Sequence, residues 1–318
     1  MGDGNANLLL EAVEKGWNEF QIRFKLYRHE ASEESVHDLR VASRRLLSVI
    51  ELLRGIAPYP RLQRLRKYLK DQLNSYDELH DTQVMIVEIC KILEELPEAE
   101  PFLGYLEKHK KHLLRVAEKK ADQLNLGNLK KRIGLIHKVL EKLVEKDERL
   151  NDHLLRVVDD AYSLVLNRME ILDPGQIATI HRLRIAMKKF RYLVEIVYPQ
   201  VQGYPVGTLD LMHEFQNVMG DIHDIEILLT TMDEFYENQR HEQPESVVHF
   251  FQKTHLERID TFYKNISCIK SFWRQTPAHP FPWNEKITQA LLEKKEFPPD
   301  AGEIELHQTN NENLPIDQ

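Results

Sequence analysis

Several features that mark common protein classes are scarce in this chain of 318 residues. Only two cysteines occur, Cys90 and Cys268, which excludes a disulfide framework and a cysteine zinc site. Glycine occurs 12 times, about half its average frequency, as expected where few tight turns are needed. No run approaches the roughly 18 apolar residues of a membrane span, and the N-terminus has no basic segment before an apolar one. We therefore expect a cytoplasmic protein that does not enter a membrane.

The signatures of common enzyme sites are missing too. The sequence has no Gly-rich phosphate loop, no G-x-S-x-G elbow and no H-E-x-x-H motif, and no nucleophile stands beside a base. We therefore predict no catalytic residue, no resident metal and no cofactor. Acidic residues outnumber basic ones by 51 to 43, giving a net charge of −8. That balance argues against a general nucleic-acid binder, and no specific nucleic-acid partner is expected.

Apolar residues recur at helical spacing through almost the whole chain. We find no convincing alternation with a period of two, and the prolines fall mainly between the periodic segments. The spacing predicts helices at about 6–29, 33–57, 61–95, 98–122, 129–146, 148–172, 176–198, 207–238, 245–274 and 284–296. The predicted fold class is all-α.

Two segments of the sequence occur twice. VHDLRVASRRLLSVIELL begins at Val36 and IHRLRIAMKKFRYLVEIV begins at Ile180, an offset of 144 residues. LHDTQVMI begins at Leu79 and IHDIEILL begins at Ile222, an offset of 143. Two separate matches at nearly one offset indicate an internal duplication, with about four helices in each half. The predicted division is 1–147 for the first repeat, 148–276 for the second, and 277–318 for a partly disordered C-terminal extension.

The first repeated segment is an amphipathic helix in both copies, and its polar face is duplicated as well as its apolar face. At about 100° per residue, one side of each copy is apolar. These apolar positions are Leu39, Ala42, Leu46, Val49, Ile50 and Leu53, and then Leu183, Ala186, Phe190, Leu193, Val194 and Val197. The opposite side carries a stripe of His37, Arg40 and Arg44 in the first copy, and of His181, Arg184 and Lys188 in the second. The flanking cations are Arg45, Lys189 and Arg191.

These stripes concentrate charge of one sign. Between Val36 and Lys70 there are nine Lys or Arg and two acids, and between His181 and Tyr192 there are five Lys or Arg and no acid. Solvated helix faces usually mix both signs, because Glu–Lys pairs one turn apart support a helix and like charges oppose it. Segregated positive charge lowers stability through self-repulsion, so the stripes indicate an anionic ligand or partner.

The second repeated segment contains the dipeptides His80-Asp81 and His223-Asp224, which we call the His–Asp pairs. Both histidines fall at the edge of the apolar stripe of their helices, toward a central surface. A neighbouring Asp or a bound anion would hold them as imidazolium. Hydrogen-bonded core histidines would show the same pattern, and paired His and Asp also occur in metal-dependent phosphohydrolases. The residues alone leave these interpretations open.

The doubled motifs V-H-D-L-R-V-x-x-R-R and I-H-R-L-R-I-x-x-K-K-x-R-Y resemble the CHAD domain, the conserved histidine α-helical domain, over roughly residues 6–275. The resemblance implies two pseudo-symmetric four-helix bundles whose basic faces line a central channel. It also implies non-catalytic binding of inorganic polyphosphate and association with polyphosphate granules, and with granule-associated proteins, in bacteria or archaea. By motif position, the implied ligand-binding residues are His37, Arg40, Arg44, Arg45, His181, Arg184, Lys188, Lys189 and Arg191, to which we add His80 and His223.

The chain departs from the family pattern in two respects. Many members carry a triphosphate-tunnel domain with an E-x-E-x-K signature, but no such signature precedes His37 and the residues before it are too few for that barrel. We therefore expect a stand-alone binder. His80 stands where the family often has Arg, and the third helix of the second half has few Lys and Arg, so the channel is expected to be asymmetric or its binding more sensitive to pH.

Three functions fit these patterns. The first is polyphosphate binding, the second is a metal-dependent phosphohydrolase that uses the His–Asp pairs, and the third is a helical scaffold that docks an acidic partner. Polyphosphate binding is favoured because both stripes keep His and cations at equivalent positions. If His37 and His181 bind phosphate as imidazolium, affinity is expected to fall as the pH rises through about 6.5–7.5.

Overall fold

The computed structural model describes residues 2–30, 32–57, 59–144, 150–240 and 242–284. Helices make up nearly all of these residues, and no β-strand occurs within those ranges. The α-helices are α1 (Gly2–His29), α2 (Glu33–Ile56), α3 (Pro60–Asn74), α4 (Asp77–Ile92), α5 (Glu100–Gln123), α6 (Leu126–Val144), α7 (Leu150–Glu170), α8 (Ile177–Val197), α9 (Thr208–Gln239) and α10 (Glu245–Asn265). Short 3₁₀ helices occupy Pro97–Ala99, Tyr198–Gln200, Ile266–Ser271 and Pro282–Asn284. The all-α prediction is confirmed.

The segment 61–95, predicted as one helix, forms two helices, α3 and α4. The chain turns between them at Ser75 and Tyr76. The Tyr76 ring is 2% exposed and packs edge-on against Tyr27, with ring centroids 5.7 Å apart. Burial of this ring accompanies the turn, and α4 begins anew with Asp77 in its first turn, where a carboxylate favours the helix dipole.

The predicted helix 245–274 is also shorter in the structure, where α10 gives way to a 3₁₀ helix. Beyond it, Trp273 is fully buried and its Nε1 donates a hydrogen bond of 2.8 Å to Asp159 Oδ1. Arg274 forms two hydrogen bonds with the same carboxylate. These contacts hold the segment that follows the 3₁₀ helix against α7. The predicted helix 284–296 lies almost entirely outside the described residues.

The apolar faces of α2 and α8 are buried as their periodicity predicts. Every apolar residue assigned to these faces is at most 5% exposed. α2 packs against α1, α3, α7 and α8, and α8 packs against α7, α9 and α2, so both helices are central to the fold. None of the described helices is both long and apolar enough to span a membrane.

In the described residues the hydrophobic core forms two clusters, and each contains residues from both predicted repeats. The larger cluster joins α1, α2, α3, α6 and the later part of α5 to α7, α8 and the first part of α9. The smaller one joins α4 and the first part of α5 to the later part of α9 and to α10. At Gly55, α2 approaches α7 so closely that a Cβ would lie 2.5 Å from Val157 Cγ2. The repeat boundary at 147 lies outside the described residues, and the division into repeats remains a prediction.

Candidate anion-binding site

Helices α2 and α8 are in contact and bring four of the predicted cations together. Arg40 and Arg44 come from α2, and Arg184 and Lys188 come from α8. Arg40 is 3% exposed and the other three side chains are half-buried. We call these four residues the central cation cluster. Their charges act on one another across the helix contact, since Arg40 and Arg44 both lower the pKa of Lys188.

Helices α4 and α9 lie over the central cation cluster. α4 contacts α2, α9 contacts α8, and α4 and α9 contact each other. They carry the His–Asp pairs, whose histidines lie beside those of the stripes. The ring centroids of His37 and His80 are 5.8 Å apart, and those of His181 and His223 are 4.6 Å apart. Within the stripe of α2, predicted to lie opposite the buried face, Arg40 is therefore covered by protein and Arg44 is half-buried, whereas His37 stays exposed.

Three of the four cations in the cluster have no carboxylate partner among the residues that the structure describes. Arg40 donates a hydrogen bond from Nη1 to Oδ1 of Asp77, at the start of α4. Among the described residues, no carboxylate lies within salt-bridge distance of Arg44, Arg184 or Lys188, and Nε of Arg184 is buried without a hydrogen-bond partner. A charge withdrawn from water without a partner lowers stability. The folded protein therefore keeps a site whose charges are balanced only in part.

The lowered pKa of Lys188 shows the effect of the unbalanced guanidinium charges around it. Burial, together with the guanidinium groups of Arg44 and Arg184, lowers its pKa to about 6. The ammonium group is therefore mostly deprotonated at neutral pH in the ligand-free protein. An anion in contact with Lys188 would favour the charged form and raise the pKa. Binding of an anion is thus coupled to uptake of a proton.

The histidines of the site also have lowered pKa values. Burial and the nearby cations of the cluster lower the pKa of His80 to about 3 and that of His223 to about 4. The pKa values of His37 and His181 are lowered mainly by burial. His80 and His223 are therefore neutral at pH 7 in the ligand-free protein, where each ring presents one N–H donor and one acceptor nitrogen, and the lowered pKa values of His37 and His181 favour the same form. The adjacent Asp residues do not hold them as imidazolium in this state.

The carboxylates of the His–Asp pairs also face the cluster. Burial raises the pKa of Asp81, and it raises that of Asp224 to about 6, with Asp81 adding to the rise and Arg184 opposing it. The His–Asp pairs therefore lie among cations, and their acids offset part of the positive charge. Within the described part of the chain, no three His, Cys, Asp or Glu side chains are placed to hold one metal ion.

Three of the Lys and Arg residues predicted as ligands lie outside the central cation cluster. Arg191 is buried, pairs with Glu195, and places its guanidinium 4.5 Å from the ring centroid of Tyr192. Arg45 is exposed and lines, with Arg191, a cleft of about 650 Å³ between α1, α2, α8 and the start of α9. Lys189 is exposed on α8. Arg45 and Lys189 each follow a stripe cation by one residue, and the 100° step turns them away from the cluster.

Asp77, the partner of Arg40, was not among the residues predicted from the sequence. The sequence feature that pointed to Asp77 is its position three residues before the His80-Asp81 pair. In the predicted continuous helix 61–95, however, nothing distinguished this acid from the other acids of the segment. The break before α4 places Asp77 in the first helical turn, where its carboxylate reaches Arg40.

Comparison with known proteins agrees with this architecture. The crystal structure of the CHAD domain from the plant Ricinus communis superposes with a TM-score of 0.63 at 16% sequence identity, covering 84% of this chain and 90% of that chain. PptA from Streptomyces chartreusis superposes with a TM-score of 0.54 at 14% identity, covering 86% of this chain and 99% of that chain. At these identities the likeness shows the fold alone.

Sequence comparison gives the family. No curated protein matches the chain. A model of the CHAD domain family, however, matches residues 11–233, which include both copies of the His-x-x-Arg motif and both His–Asp pairs. The match spans well over half of the sequence, and the protein therefore belongs to the CHAD domain family.

Proposed function

We propose that this protein binds inorganic polyphosphate at the central cation cluster and catalyses no reaction on it. The observation that carries the proposal is that Arg44, Arg184 and Lys188 are half-buried and have no paired acid among the described residues. The two unpaired guanidinium groups lower the stability of the ligand-free protein, and their charge also disfavours protonation of Lys188. A polyanion bound between α2 and α8 supplies the missing negative charge and relieves the repulsion.

The chemistry of polyphosphate suits these residues. It is a linear chain with negative charge on every unit, and the cations on each helix are one turn apart, with Cβ atoms roughly 5–6 Å from each other. The planar guanidinium of Arg can donate two parallel hydrogen bonds to phosphate oxygens, and Lys adds a compact charge. In this proposal, His37, His80, His181 and His223 act as neutral hydrogen-bond donors. A single phosphate ion would balance fewer of these charges than a chain.

Membership of the CHAD family supports the same ligand class. The doubled motif by which the chain resembles this family implies polyphosphate binding, and its residues Arg40, Arg44, Arg184 and Lys188 are the ones that converge in the fold. The proposal includes a cytoplasmic location on polyphosphate granules, with granule-associated proteins as further partners.

The test is a titration of the purified protein with medium-chain polyphosphate at two salt concentrations. Double-stranded DNA is added as a competitor, and release of phosphate is monitored. We expect tight binding that weakens as salt increases, because binding releases counterions from the polyanion, as in nucleic-acid complexes. We expect an excess of DNA not to displace the ligand, since a duplex is too wide for a largely buried cluster, and no phosphate to be released.

Other outcomes of this titration would overturn specific parts of the proposal. Phosphate release that is lost in His80→Ala or His223→Ala would show an enzyme that uses the His–Asp pairs. Displacement by DNA at equal charge would show a general polyanion surface. No binding at low salt would refute the function itself and favour a helical scaffold with another acidic partner.

A further inference from the structure

Arg40 and Arg184 occupy the same place in the repeated motif but differ in their surroundings. Arg40 pairs with Asp77, whereas Nε of Arg184 is buried without a hydrogen-bond partner. Asp224 is the acid that most favours the charged form of Arg184, yet it lies beyond salt-bridge distance. The two halves of the central cation cluster are therefore not equally available to an incoming anion.

One source of the difference is a single position in the sequence. The offset of 143 that aligns His80 with His223 also aligns Asp77 with Gly220. Gly220 lies within α9, and a Cβ at this position would meet no atom within 4 Å. The second half therefore lacks the acid that neutralises Arg40 in the first half, although there is space for one.

We propose that Asp77 is a built-in competitor of polyphosphate, so that the polyanion binds first at Arg184 and Lys188, and Arg40 joins only when a phosphate group displaces Asp77. This inference rests on the proposed function. Asp77 then sets the affinity for polyphosphate by controlling whether Arg40 is free to bind a phosphate group. The first contact with polyphosphate is made by the cations of α8.

The burial of the two partners supports this exchange. The side chain of Arg40 is 3% exposed, and that of Asp77 is 45% exposed. Asp77 can therefore turn into water at small cost, while Arg40 is held by the surrounding protein. The other charges that act on Arg40 are Arg44 and Asp81, and both remain in the site after the exchange. A phosphate group that replaces Asp77 thus meets a cation already fixed in position.

The first test removes the competitor. Asp77→Asn keeps the shape of the side chain and removes its charge, and the matched control is Glu78→Gln. Glu78 lies in the same helical turn but contacts His109, with 3.0 Å between Oε1 and Nε2. We expect Kd for a short polyphosphate to fall about tenfold in Asp77→Asn, and to change by less than about twofold in Glu78→Gln. The plot of log Kd against log salt should steepen by about one unit in Asp77→Asn alone, because one more cation pairs with phosphate.

The second test installs a competitor in the other half. Gly220→Asp places an acid at the sequence counterpart of Asp77, and Gly220→Asn is a neutral control of the same size. Both substitutions remove a glycine from a helix, so neither is expected to weaken folding. We expect Gly220→Asp to raise Kd about tenfold relative to Gly220→Asn, because the new acid neutralises Arg184.

The outcomes separate this inference from the proposed function. If the unaltered protein does not bind polyphosphate, the proposed function fails and the inference fails with it. If it binds, but Asp77→Asn behaves like Glu78→Gln, the competitor role of Asp77 is refuted and the function stands. If Asp77→Asn folds poorly, the comparison of Gly220→Asp with Gly220→Asn provides the test. Equal affinity of these two variants for polyphosphate would refute the proposal that the second half of the cluster makes the first contact.

Discussion

Replacing Arg44 and Arg184 together by glutamine is expected to lower the affinity for polyphosphate by at least about a hundredfold. Both guanidinium groups are half-buried, and neither has an acid partner in the described part of the chain. A hydrogen bond to a charged group contributes roughly 1.5–3 kcal/mol. Two such losses amount to about 3–6 kcal/mol, and each 1.4 kcal/mol is about a tenfold change in Kd. Titration calorimetry with a polyphosphate of fixed length gives the measurement.

The matched control removes the same two charges from neighbouring exposed positions, in the double variant Arg45→Gln, Lys189→Gln. Its affinity is expected to change by less than about fivefold, through screened long-range attraction alone. Circular dichroism should show unchanged helical content in both double variants. The melting temperature of the Arg44, Arg184 variant should be equal to or above that of the unaltered protein, because self-repulsion within the cluster is removed. Equal affinity of the two double variants would contradict the placement of the site.

Affinity for polyphosphate is expected to fall as the pH rises from about 6 to 8, with Lys188 as the main cause. In the ligand-free protein the pKa of Lys188 is about 6, and a bound anion raises it. Between these two values binding takes up a proton, so affinity falls by up to about tenfold per pH unit for each proton taken up. Asp224, with a pKa of about 6, adds to proton uptake near that pH because a neighbouring polyanion raises its pKa further.

The sequence alone assigned this pH dependence to His37 and His181. The pKa values of those two rings are lowered, mainly by burial, and those of His80 and His223, about 3 and about 4, lie far below the range. Lys188 faces the three Arg of the cluster and Asp224, and its pKa of about 6 lies at the lower edge of this pH range, so we expect its protonation to change most on binding.

Two variants separate these assignments. In Lys188→Met the affinity should be lower and nearly level between pH 7 and 8, whereas in His181→Gln the slope of the unaltered protein should remain. Calorimetry in two buffers that differ in ionisation enthalpy counts the protons taken up directly. If the dependence of affinity on pH persists in Lys188→Met and disappears in His181→Gln, its cause is protonation of a histidine and not of Lys188.

The helical architecture was predictable because the signal is local and repeated. In α2 and α8 the apolar residues recur with the period of the helix, and each of them is buried. The break between α3 and α4 was not predictable in this way. Tyr76 fits the apolar spacing of an uninterrupted helix, and what accompanies the turn is its contact with Tyr27 on α1. That contact joins segments far apart in the sequence, so it produces no periodic pattern from which the turn could be predicted.

The candidate site was predictable in composition but not in its electrostatics. Segregation of Arg and Lys on a repeated stripe is a property of one helix, so Arg40, Arg44, Arg184 and Lys188 could be chosen from the sequence. The state of each cation depends on other helices: Asp77 reaches Arg40 from α4, and two arginines of α2 act on Lys188 of α8. Sequence spacing gives no such cross-helix contacts, and the pKa changes follow from them.

A crystal structure of the protein with tripolyphosphate tests the central claim most directly. The account predicts phosphate groups between α2 and α8, with oxygens within hydrogen-bond distance of Arg44, Arg184 and Lys188. It also predicts that the contact between Asp77 and Arg40 is broken wherever a phosphate group reaches Arg40. Tripolyphosphate bound only to exposed lysines, with the central cation cluster free of ligand and Asp77 still on Arg40, would contradict the account.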